Sequence, residues 1–589
     1  MNSVFKNHIH ECDLCIVGGG LSGMCAGIAA ARHGVSVVIM QDRPLYGGNA
    51  SSEVRMWVSG ASGPNARETG IIEEMMLENL YRNPERGYPI WDSIMYEFVN
   101  SEKNITSIMN CSCLDAKCEG GRLIEVSGWQ TTTQSYHTVR AKLFADCSGD
   151  SILAPLTGAE FRIGREGRGE FDESIAPEVA DRKTMGLTCL ITARESERKI
   201  KFIAPTWANK YTRDDLAPYR IPDMNDPSEN YWYMELGGED DSIADTEVLR
   251  DKLLRIAFGI WDYIKNSGDY EADYWSLDFV GFLPGKRESR RYVGDHILTQ
   301  NEVRDLGKFE DTVAFGGWPM DDHNPAGFAT KEQPTTFHTA PNIYGIPYRS
   351  LYSKNIENLF VAGRNISATH AAMSSTRVMA TCALLGQAIG TAASLAKKYG
   401  TTPRGVYQNH LTELKDTLME DDAYLPRNTL RLSPLTSAAN LSTSGKYAEK
   451  LLNGHARPID DEENAWEGKL GDYIELSFTE PKEIKEVRLT LDSDLNRLTV
   501  GATGYVHRKG TVANVSRNMP HVHLPMTLIK TIRAEILNEH GEWECVSEIT
   551  GIKRRVVYFN INRSARAIRI IPTESYGNET VKIFTLDLR

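Results

Sequence analysis

Apolar and small residues near the N terminus follow one another in blocks. Residues 13–17 (DLCIV) form a short, mostly apolar run, glycines fall at 18, 20 and 23, residues 24–33 are rich in alanine, and residues 35–40 (VSVVIM) are apolar again. Short apolar runs are typical of buried parallel strands, and the alanine-rich run favours a helix. The pattern therefore predicts a strand, a crossover helix and a second parallel strand.

The glycines between the first strand and the helix have the spacing G-x-G-x-x-G. In a dinucleotide fold, Gly18 makes the tight turn, Gly20 lets the backbone approach a pyrophosphate, and Gly23 permits close packing of helix and strand. The pyrophosphate lies at the helix N terminus, where free N–H groups and the helix dipole favour an anion. We therefore predict a nucleotide cradle, with Gln41 or Asp42 at the position expected to bind the ribose.

Three later segments resemble motifs of the glutathione-reductase-type FAD superfamily. RPLYGGNASSEVRMWVSGASG resembles the motif beside the phosphate and ribityl region, LFADCSGDSILAPLTGA resembles the strand that returns to the FAD domain, and NLFVAGRNISATHAAMSSTRVMATCALLGQAIGTAA resembles the closing motif beside the flavin ring. The resemblance implies that FAD is the cofactor. It also implies cofactor contacts from all three segments, at Arg43, Gly47, Gly48, Asn49, Ser51, Ser148, Gly149, Asp150, Gly363, Arg364, Ser374 and Ser375.

A small-residue helix is predicted over residues 378–397, directly after the closing motif. Its N terminus carries partial positive charge, which can stabilise the anion that develops on a reduced flavin. Its many glycines and alanines predict tight seating on a sheet.

Within this superfamily, the chain resembles a group of FAD-dependent oxidoreductases often encoded among bacterial polysaccharide-use genes. The phrases GREGRGEFDESIAPE, KRESRRYVGDHILT and AFGGWPMDDHNP carry the resemblance, which covers roughly residues 12–420. A second strand–G-x-G-x-x-G–helix unit for NAD(P)H is not apparent in the sequence. The flavin is therefore expected to take electrons directly from an organic substrate and to pass them to oxygen or another, unknown acceptor.

The predicted fold class is α/β: a Rossmann-like FAD-binding domain, an inserted α+β substrate domain and a C-terminal all-β sandwich. YWYMELGG and YWSLDFVGFLP are strand-like and residues 245–265 helix-like, whereas the C-terminal runs YIELSF, EIKEVRLTL, RVVYFNI and ARAIRIIP alternate with turns and resemble a discoidin-type domain. Sugar binding by that domain and a structural or dimerising role both stay open. The predicted boundaries are 1–60, 104–160 and 346–420 for the FAD-binding domain, 61–103 and 161–345 for the substrate domain, 421–437 for a linker and 438–589 for the sandwich.

Two histidines are candidates for proton transfer. Oxidation of an alcohol or amine by a flavin needs a base for the accompanying proton. His370 lies just before the predicted helix, and a histidine can exchange a proton near neutral pH; hydrogen bonding to flavin or backbone is its alternative role. His323, in the loop GGWPMDDHNP, is the second candidate, with a solvated surface histidine as the alternative.

Two adjacent arginines, Arg290 and Arg291, are candidates for binding an anionic group or a developing oxyanion. Neighbouring residues on a strand face opposite ways, so only one of them is expected to point inward. The alternative is a structural ion pair with Glu288 or Asp295.

Composition narrows the class of partner. The chain has 589 residues with a formal net charge of −13, and this acidity argues against nucleic acid or an anionic membrane as the main partner. The N-terminal segment lacks the basic start and apolar core of a secretory signal, and no apolar run is long enough to span a bilayer, so a cytoplasmic location is expected. The ten cysteines lack metal-site spacing, which predicts no metal. A homo-oligomer stays open.

Three functions compete at this point. The first is an FAD-dependent dehydrogenase or oxidase acting on a hydroxyl group of a sugar or sugar derivative. The second is a flavin enzyme that reduces or forms a C=C bond in a carboxylate, with arginines as anion clamps. The third is a non-enzymatic carbohydrate-binding protein with a degenerate flavin fold, which the complete glycine motif disfavours.

Overall fold

The central element of the fold is a seven-stranded sheet in the N-terminal body. The computed structural model describes residues 4–225, 229, 231–497 and 514–589. Four neighbouring pairs of the sheet are parallel, and its far edge is an antiparallel meander. In spatial order the strands are Ile105–Ile108, Val37–Met40, Asn7–Val17, Ser135–Asp146, Arg122–Gln130 and Cys111–Glu119, and Leu359–Val361 also pairs with Ser135–Asp146.

Two helices pack against each other beside this sheet. The crossover helix, Leu21–Arg32, joins the first two strands, and the long helix, Met379–Tyr399, crosses over it. A Cβ at Gly386 would lie 2.0 Å from the Ser22 carbonyl oxygen, so these backbones are in direct contact. The expectation that the small residues of the long helix seat on a sheet is therefore wrong. They allow close packing on the crossover helix.

Residues 61–103 belong to the N-terminal body by their packing. They form the helices Ile71–Arg82 and Tyr88–Asn100. Most of their buried apolar residues join the core of the crossover and long helices, while Leu77 and Leu80 join the core of the C-terminal region. The sequence placed this segment with the substrate domain. The observed packing differs from that assignment: both helices contact the crossover helix, Ile71–Arg82 also contacts the long helix, and its Leu77 and Leu80 face the C-terminal region.

The region between residues 161 and 345 has mixed α and β content. YWYMELGG was predicted as a strand, but the strand there is only Glu235–Leu236. Tyr231 has a left-handed backbone with φ of 59°, and its carbonyl accepts from the Met234 N–H, so the chain turns before the strand begins. The helices are Arg168–Phe171, Arg213–Leu216, Thr246–Asn266 and Gln300–Arg304. The strands are Phe161–Arg162, Leu187–Thr188, Ile191–Glu195, Glu235–Leu236, Trp275–Val280, Gly285–Lys286, Arg291–Tyr292, Thr312–Gly316, Met320–His323, Thr335–His338 and Tyr344–Pro347.

The C-terminal region is all-β. The predicted separate strands YIELSF and EIKEVRLTL form one strand, Ile474–Leu491, because register shifts around Pro481 absorb the proline without ending the pairing. RVVYFNI and ARAIRIIP likewise merge into Val556–Ser575. Trp466 is fully buried in the core of this sheet. The other strands of the sheet are Asn440–Thr443, Trp466–Lys469, Ile529–Leu537, Trp543–Ile549 and Thr580–Leu588.

The C-terminal region is firmly attached to the rest of the chain. Arg497 forms a buried ion pair with Glu73, 2.7 Å apart, and strand Asn514–Val515 adds to the sheet of Ile191–Glu195. Residues 421–437, predicted as a linker, include Leu425, which is buried in the N-terminal core after helix Pro403–Glu420. This segment therefore packs against the N-terminal core.

One helix among the described residues, the long helix, has the length and composition needed to cross a membrane. Of its apolar window, 89% is buried inside the fold. The elements that pack against it, including the crossover helix, belong to the same chain.

Candidate active site

A cavity of about 650 Å³ lies between the start of the crossover helix and the substrate domain. This volume is in the range of pockets for small molecules and cofactors. Most of the predicted cofactor residues line it: Gly18, Gly20, Gln41, Asp42, Arg43, Gly47, Gly48, Asn49, Ser148, Gly149, Asp150, Gly363 and Arg364.

The glycines at the helix start have three different surroundings. Gly18 has φ of 103°, and a Cβ there would lie 2.5 Å from the Cys147 carbonyl. A Cβ at Gly23 would lie 1.9 Å from the Gly18 carbonyl oxygen, whereas a Cβ at Gly20 meets no atom within 4 Å in the described chain. Glycine is therefore required at 18 and 23 by contacts within the fold. Gly20 keeps space open at the cavity wall.

The end of the second strand braces the glycine turn. The Gln41 side-chain carbonyl accepts a hydrogen bond from the Gly19 N–H at 2.7 Å, and its amide donates to the Leu45 carbonyl at 2.9 Å. Asp42 also lines the cavity, and its side chain is 62% exposed. With Gln41 committed to the backbone, Asp42 becomes the stronger candidate for a ribose hydroxyl.

A partly buried ion cluster connects the second and third cofactor motifs. The Asp150 carboxylate accepts from Lys286 at 2.9 Å and from Arg364 at 2.8 Å. Burial favours the neutral acid, but the charges of Arg364 and Lys286 outweigh it and lower the pKa of Asp150 to about 2. Gly149 has φ of 76°, and a Cβ there would lie 2.7 Å from the Arg364 guanidinium. The cluster holds both motifs at the cavity wall.

Four predicted cofactor residues do not line the cavity. Gly23 is enclosed by backbone, and Ser51 donates to the Gly48 carbonyl. Ser374 donates to Ala371, and Ser375 donates to the Trp318 carbonyl. These four residues shape the backbone around the site.

His323 lies at the other end of the cavity, among ionisable groups. Its Nδ1 is 2.6 Å from a Glu235 carboxylate oxygen, and its Nε2 is 3.3 Å from Asp321. Burial opposes a charge on the ring, but Glu235 and Asp321 outweigh it and raise the pKa of His323 above its usual 6.5. The surface alternative for this histidine is excluded, because the residue is only 4% exposed.

His370, the first candidate for the base, lies behind the cavity wall. Its Nδ1 is 2.9 Å from Glu288 and its Nε2 is 3.1 Å from Asp322. Burial opposes the charged ring, yet Glu288 and Asp322 raise the pKa of His370 to about 10. His370 is not among the residues that line the cavity, and a ring with a pKa of about 10 is already protonated near neutral pH. We therefore take His323, which lines the cavity, as the candidate base.

We expect His370 to contribute to stability in a pH-dependent way. A raised pKa stabilises the fold fully below the unfolded value of about 6.5, and this stabilisation is lost as pH rises through about 10. Replacement of His370 with Gln should lower the melting temperature strongly at pH 6 and progressively less toward pH 10. Thermal unfolding of both proteins across this range is the measurement, and a constant difference would contradict the assignment.

The two adjacent arginines face opposite ways, as the strand pattern predicted. Arg290 lines the cavity, and its Nε donates to the Asp150 carbonyl at 2.9 Å. Arg291 is 1% exposed, is 2.8 Å from Glu166 and also pairs with Glu288. Arg291 therefore makes the structural ion pair that was its alternative role, and Arg290 keeps the candidacy for a ligand.

Several residues of the site were not found from the sequence. Glu235 is 88 positions from His323, and no motif marks it. Arg287 follows Lys286 in the phrase KRESRR, in which only Arg290 and Arg291 were predicted to bind a ligand. Trp232, Trp318, Asp321 and Phe337 also line this end, whereas Arg377, which lines it too, was expected from its place beside the returning FAD segment.

The described residues contain no group of three or more His, Cys, Asp or Glu side chains placed to hold a metal ion. The buried carboxylates of the site are instead paired with arginine, lysine or histidine.

Comparison with known proteins gives the family. A family model described as FAD dependent oxidoreductase matches residues 13–418, which is most of the chain. The chain belongs to the FAD-dependent oxidoreductase family. It is therefore an FAD-dependent enzyme, and the predicted cofactor is confirmed. The finer glutathione-reductase-type assignment and the individual cofactor contacts stay predictions.

The cavity of this FAD-dependent oxidoreductase fits a dinucleotide cofactor. Gly20 leaves open space at the start of the crossover helix, where no described side chain caps the first turn. Arg364 Nε is buried and has no hydrogen-bond partner in the part of the chain that is described. The helix start is placed to hold the diphosphate, and Asp42 and Arg364 supply polar groups along the cavity.

One curated relative matches a short part of the oxidoreductase. The 4-oxocyclohex-2-ene-1-carboxylate 5-dehydrogenase of Sinomonas cyclohexanicum is 36% identical over 81 residues. The match covers 13% of this chain and 14% of the relative's length.

Solved carbohydrate-binding modules resemble a smaller part of the chain. The family 32 module of Streptococcus pneumoniae EndoD has 15% identity and a TM-score of 0.20, covering 27% of this chain and 99% of the module. The family 32 module of Clostridium perfringens NanJ, in complex with galactose, has 12% identity and a TM-score of 0.18, covering 27% of this chain and 97% of the module. The all-β assignment of the C-terminal region rests on its own strands.

Proposed function

We propose that this enzyme oxidises a hydroxyl group of an organic substrate, with a sugar or sugar derivative as the expected class, and that His323 accepts the hydroxyl proton. The observation that carries the proposal is the placement of His323 on the cavity wall, with Glu235 at its Nδ1. Glu235 at Nδ1 and Asp321, 3.3 Å from Nε2, orient the ring and stabilise the imidazolium formed when Nε2 takes a proton.

FAD, when bound, accepts the hydrogen of the substrate C–H bond together with its electron pair. His323 takes the O–H proton, and the carbon–oxygen single bond becomes a carbonyl. Trp232 packs edge-on against His323 with ring centroids 5.3 Å apart, which limits the ring to few orientations. The side chains of Trp318 and Phe337 form an apolar part of the wall at the same end of the cavity.

Anaerobic mixing of the yellow protein with panels of sugars, sugar acids and cyclic carboxylates tests the proposal. Loss of flavin colour with at least one hydroxyl-bearing compound, and formation of the matching carbonyl product, is expected. Loss of colour only with saturated ring carboxylates that carry no hydroxyl would contradict it.

The pH dependence of flavin reduction offers a further prediction. His323 accepts a proton only when neutral, and its pKa is raised above 6.5. We therefore expect the rate of flavin reduction to rise with pH through that pKa, because the neutral fraction of the ring increases. Stopped-flow measurements from pH 6 to pH 10 check this, and a rate that falls over the same range would contradict a base at His323.

Dehydrogenation of a carboxylate is the second candidate function. The relative from Sinomonas cyclohexanicum, named 4-oxocyclohex-2-ene-1-carboxylate 5-dehydrogenase, favours it. In that reaction His323 would take a proton from one carbon while the adjacent carbon loses hydrogen with its electron pair, which leaves a C=C bond. The panel above separates the two reactions by their products.

A further inference from the structure

Two antiparallel strands, Met320–His323 and Thr335–His338, form a ribbon in the wall of the cavity. In this ribbon Asp321 pairs with Phe337, and His323 lies two residues beyond Asp321. Side chains alternate along a strand, and directly paired residues share a face, so these three side chains lie on one face of the ribbon. All three line the cavity, which is therefore the side that this face meets.

The opposite face of the ribbon packs on the protein. Met320 is fully buried there, and the Asp322 carboxylate is 3.1 Å from the His370 ring. Strand Met320–His323 also contacts helix His370–Thr376, which lies on this side. The alternation along the strand therefore agrees with the orientation that the cavity lining gives.

Phe337 is a large apolar side chain that no core of the protein covers. It is 58% exposed, and it belongs to none of the apolar cores formed by the described residues. Thr335, on the same face and strand, is buried. An exposed phenyl ring gains free energy when a ligand covers it, and exposed apolar surface beside a cavity is typical of a binding groove.

Phe337 and His323 are diagonal neighbours across the ribbon. Their Cβ atoms are therefore roughly 7–8 Å apart. One six-membered ring can span this distance, with its C–H face on Phe337 and a hydroxyl group at His323. An open chain has no such flat face to place on the phenyl ring, so this arrangement favours a cyclic substrate.

The charged group beside Phe337 already has partners within the protein. The Asp321 carboxylate is 3.0 Å from Arg377 and 3.3 Å from His323, and it accepts from the Thr335 hydroxyl at 2.5 Å. The open aromatic surface is thus the feature that remains for selecting a ligand. A pyranose ring combines a C–H face of matching shape with hydroxyl groups and carries no charge.

We propose that Phe337 binds the C–H face of a pyranose ring and so makes the enzyme selective for cyclic sugars over open-chain alcohols. This inference rests on the proposed function, and it narrows the substrate class to uncharged, ring-closed sugars. Trp318, which also lines the cavity and whose Nε1 is 3.4 Å from Asp321, extends the aromatic surface on the same side.

Equilibrium binding of matched sugars and alditols to the FAD-loaded enzyme tests the ring requirement. D-Glucitol, galactitol and D-mannitol are the open-chain alcohols that match D-glucose, D-galactose and D-mannose. Prior anaerobic reduction of the enzyme with dithionite prevents hydride transfer to the flavin during the titration. We expect calorimetry to show at least one sugar binding about tenfold more tightly than its alditol. Equal affinities within every pair, or no binding of any sugar, would overturn the inference.

Variants of the phenyl ring locate the binding surface. In Phe337→Ala we expect the affinity for that sugar to fall about 5- to 20-fold while the alditol affinity stays the same, whereas Phe337→Tyr keeps the aromatic face and the preference. Phe282→Ala is the matched control, because Phe282 is 61% exposed and does not line the cavity. Wild-type sugar affinity in Phe337→Ala would show that the ring binds elsewhere and overturn the assignment.

Anaerobic reduction of the oxidised enzyme separates this inference from the proposed function. Flavin reduction by a sugar and its alditol at equal rates, together with equal affinities, keeps the hydroxyl oxidation and overturns the ring selectivity. If the sugars bind more tightly than their alditols but no hydroxyl compound reduces the flavin, the proposed oxidation fails and the ring-binding surface at Phe337 remains.

Discussion

Replacement of Gly20 with Val is expected to give a folded, stable protein that does not retain FAD. Gly20 has φ of −66° and ψ of 177°, an extended conformation open to any residue, and a Cβ there meets no described atom within 4 Å. The new side chain would instead occupy the cradle at the helix start. Loss of two charge-assisted hydrogen bonds to the diphosphate, about 1.5–3 kcal/mol each, predicts FAD binding at least roughly 100-fold weaker.

The measurement is a fluorescence titration of the apo-protein with FAD, together with thermal unfolding of the same apo-protein. Gly23→Ala is the contrasting variant, since its Cβ would lie 1.9 Å from the Gly18 carbonyl oxygen and should destabilise the apo-protein itself. Gly169→Val is the control, because Gly169 is also surrounded by open space and lies outside the cavity. Normal FAD affinity in Gly20→Val would refute the cradle.

Replacement of His323 with Asn is expected to leave FAD bound and to slow flavin reduction by substrate roughly 10²- to 10⁴-fold. Asn can still hydrogen-bond Glu235, but it cannot take up a proton near neutral pH. The variant should also lose the rise of rate with pH that His323 confers. Single-turnover reduction under anaerobic conditions measures the chemical step separately from reoxidation.

His338→Asn is the matched control for this experiment. His338 lies on the strand Thr335–His338, paired with the strand of His323, and does not line the cavity. We expect its rate to match that of the wild type. A His323→Asn protein with undiminished reduction would exclude His323 from proton transfer and leave Asp321, a carboxylate that lines the same end of the cavity, as the next group to test.

The two histidines show that a candidate base can be chosen only when its surroundings are known. From the sequence, both histidines were candidates for the base: His370 lies just before the predicted helix, and His323 lies in the loop GGWPMDDHNP. In the structure, carboxylates contact both ring nitrogens of each histidine, but His370 lies behind the wall whereas His323 lies on the wall itself. Packing therefore reversed the order of the two candidates.

The sequence by itself determined the strand–glycine–helix–strand unit, the all-β character of the C-terminal region and the cofactor class. The first two follow from local patterns, because apolar runs set the strands and Gly18, Gly20 and Gly23 act within one turn of chain. FAD as the cofactor followed from the resemblance of three later motifs to a known superfamily. Most motif residues consequently reach the cavity they were assigned to.

Only the tertiary structure decided which side chains share the reacting end of the cavity. Glu235 and His323 come from segments 88 positions apart, and Arg377 reaches Asp321 from a third segment, across 56 positions. Their charges depend on burial and on partners that no local pattern encodes. The same reason explains the long helix: its small residues were evident in the sequence, but their contact with the crossover helix required the packed fold.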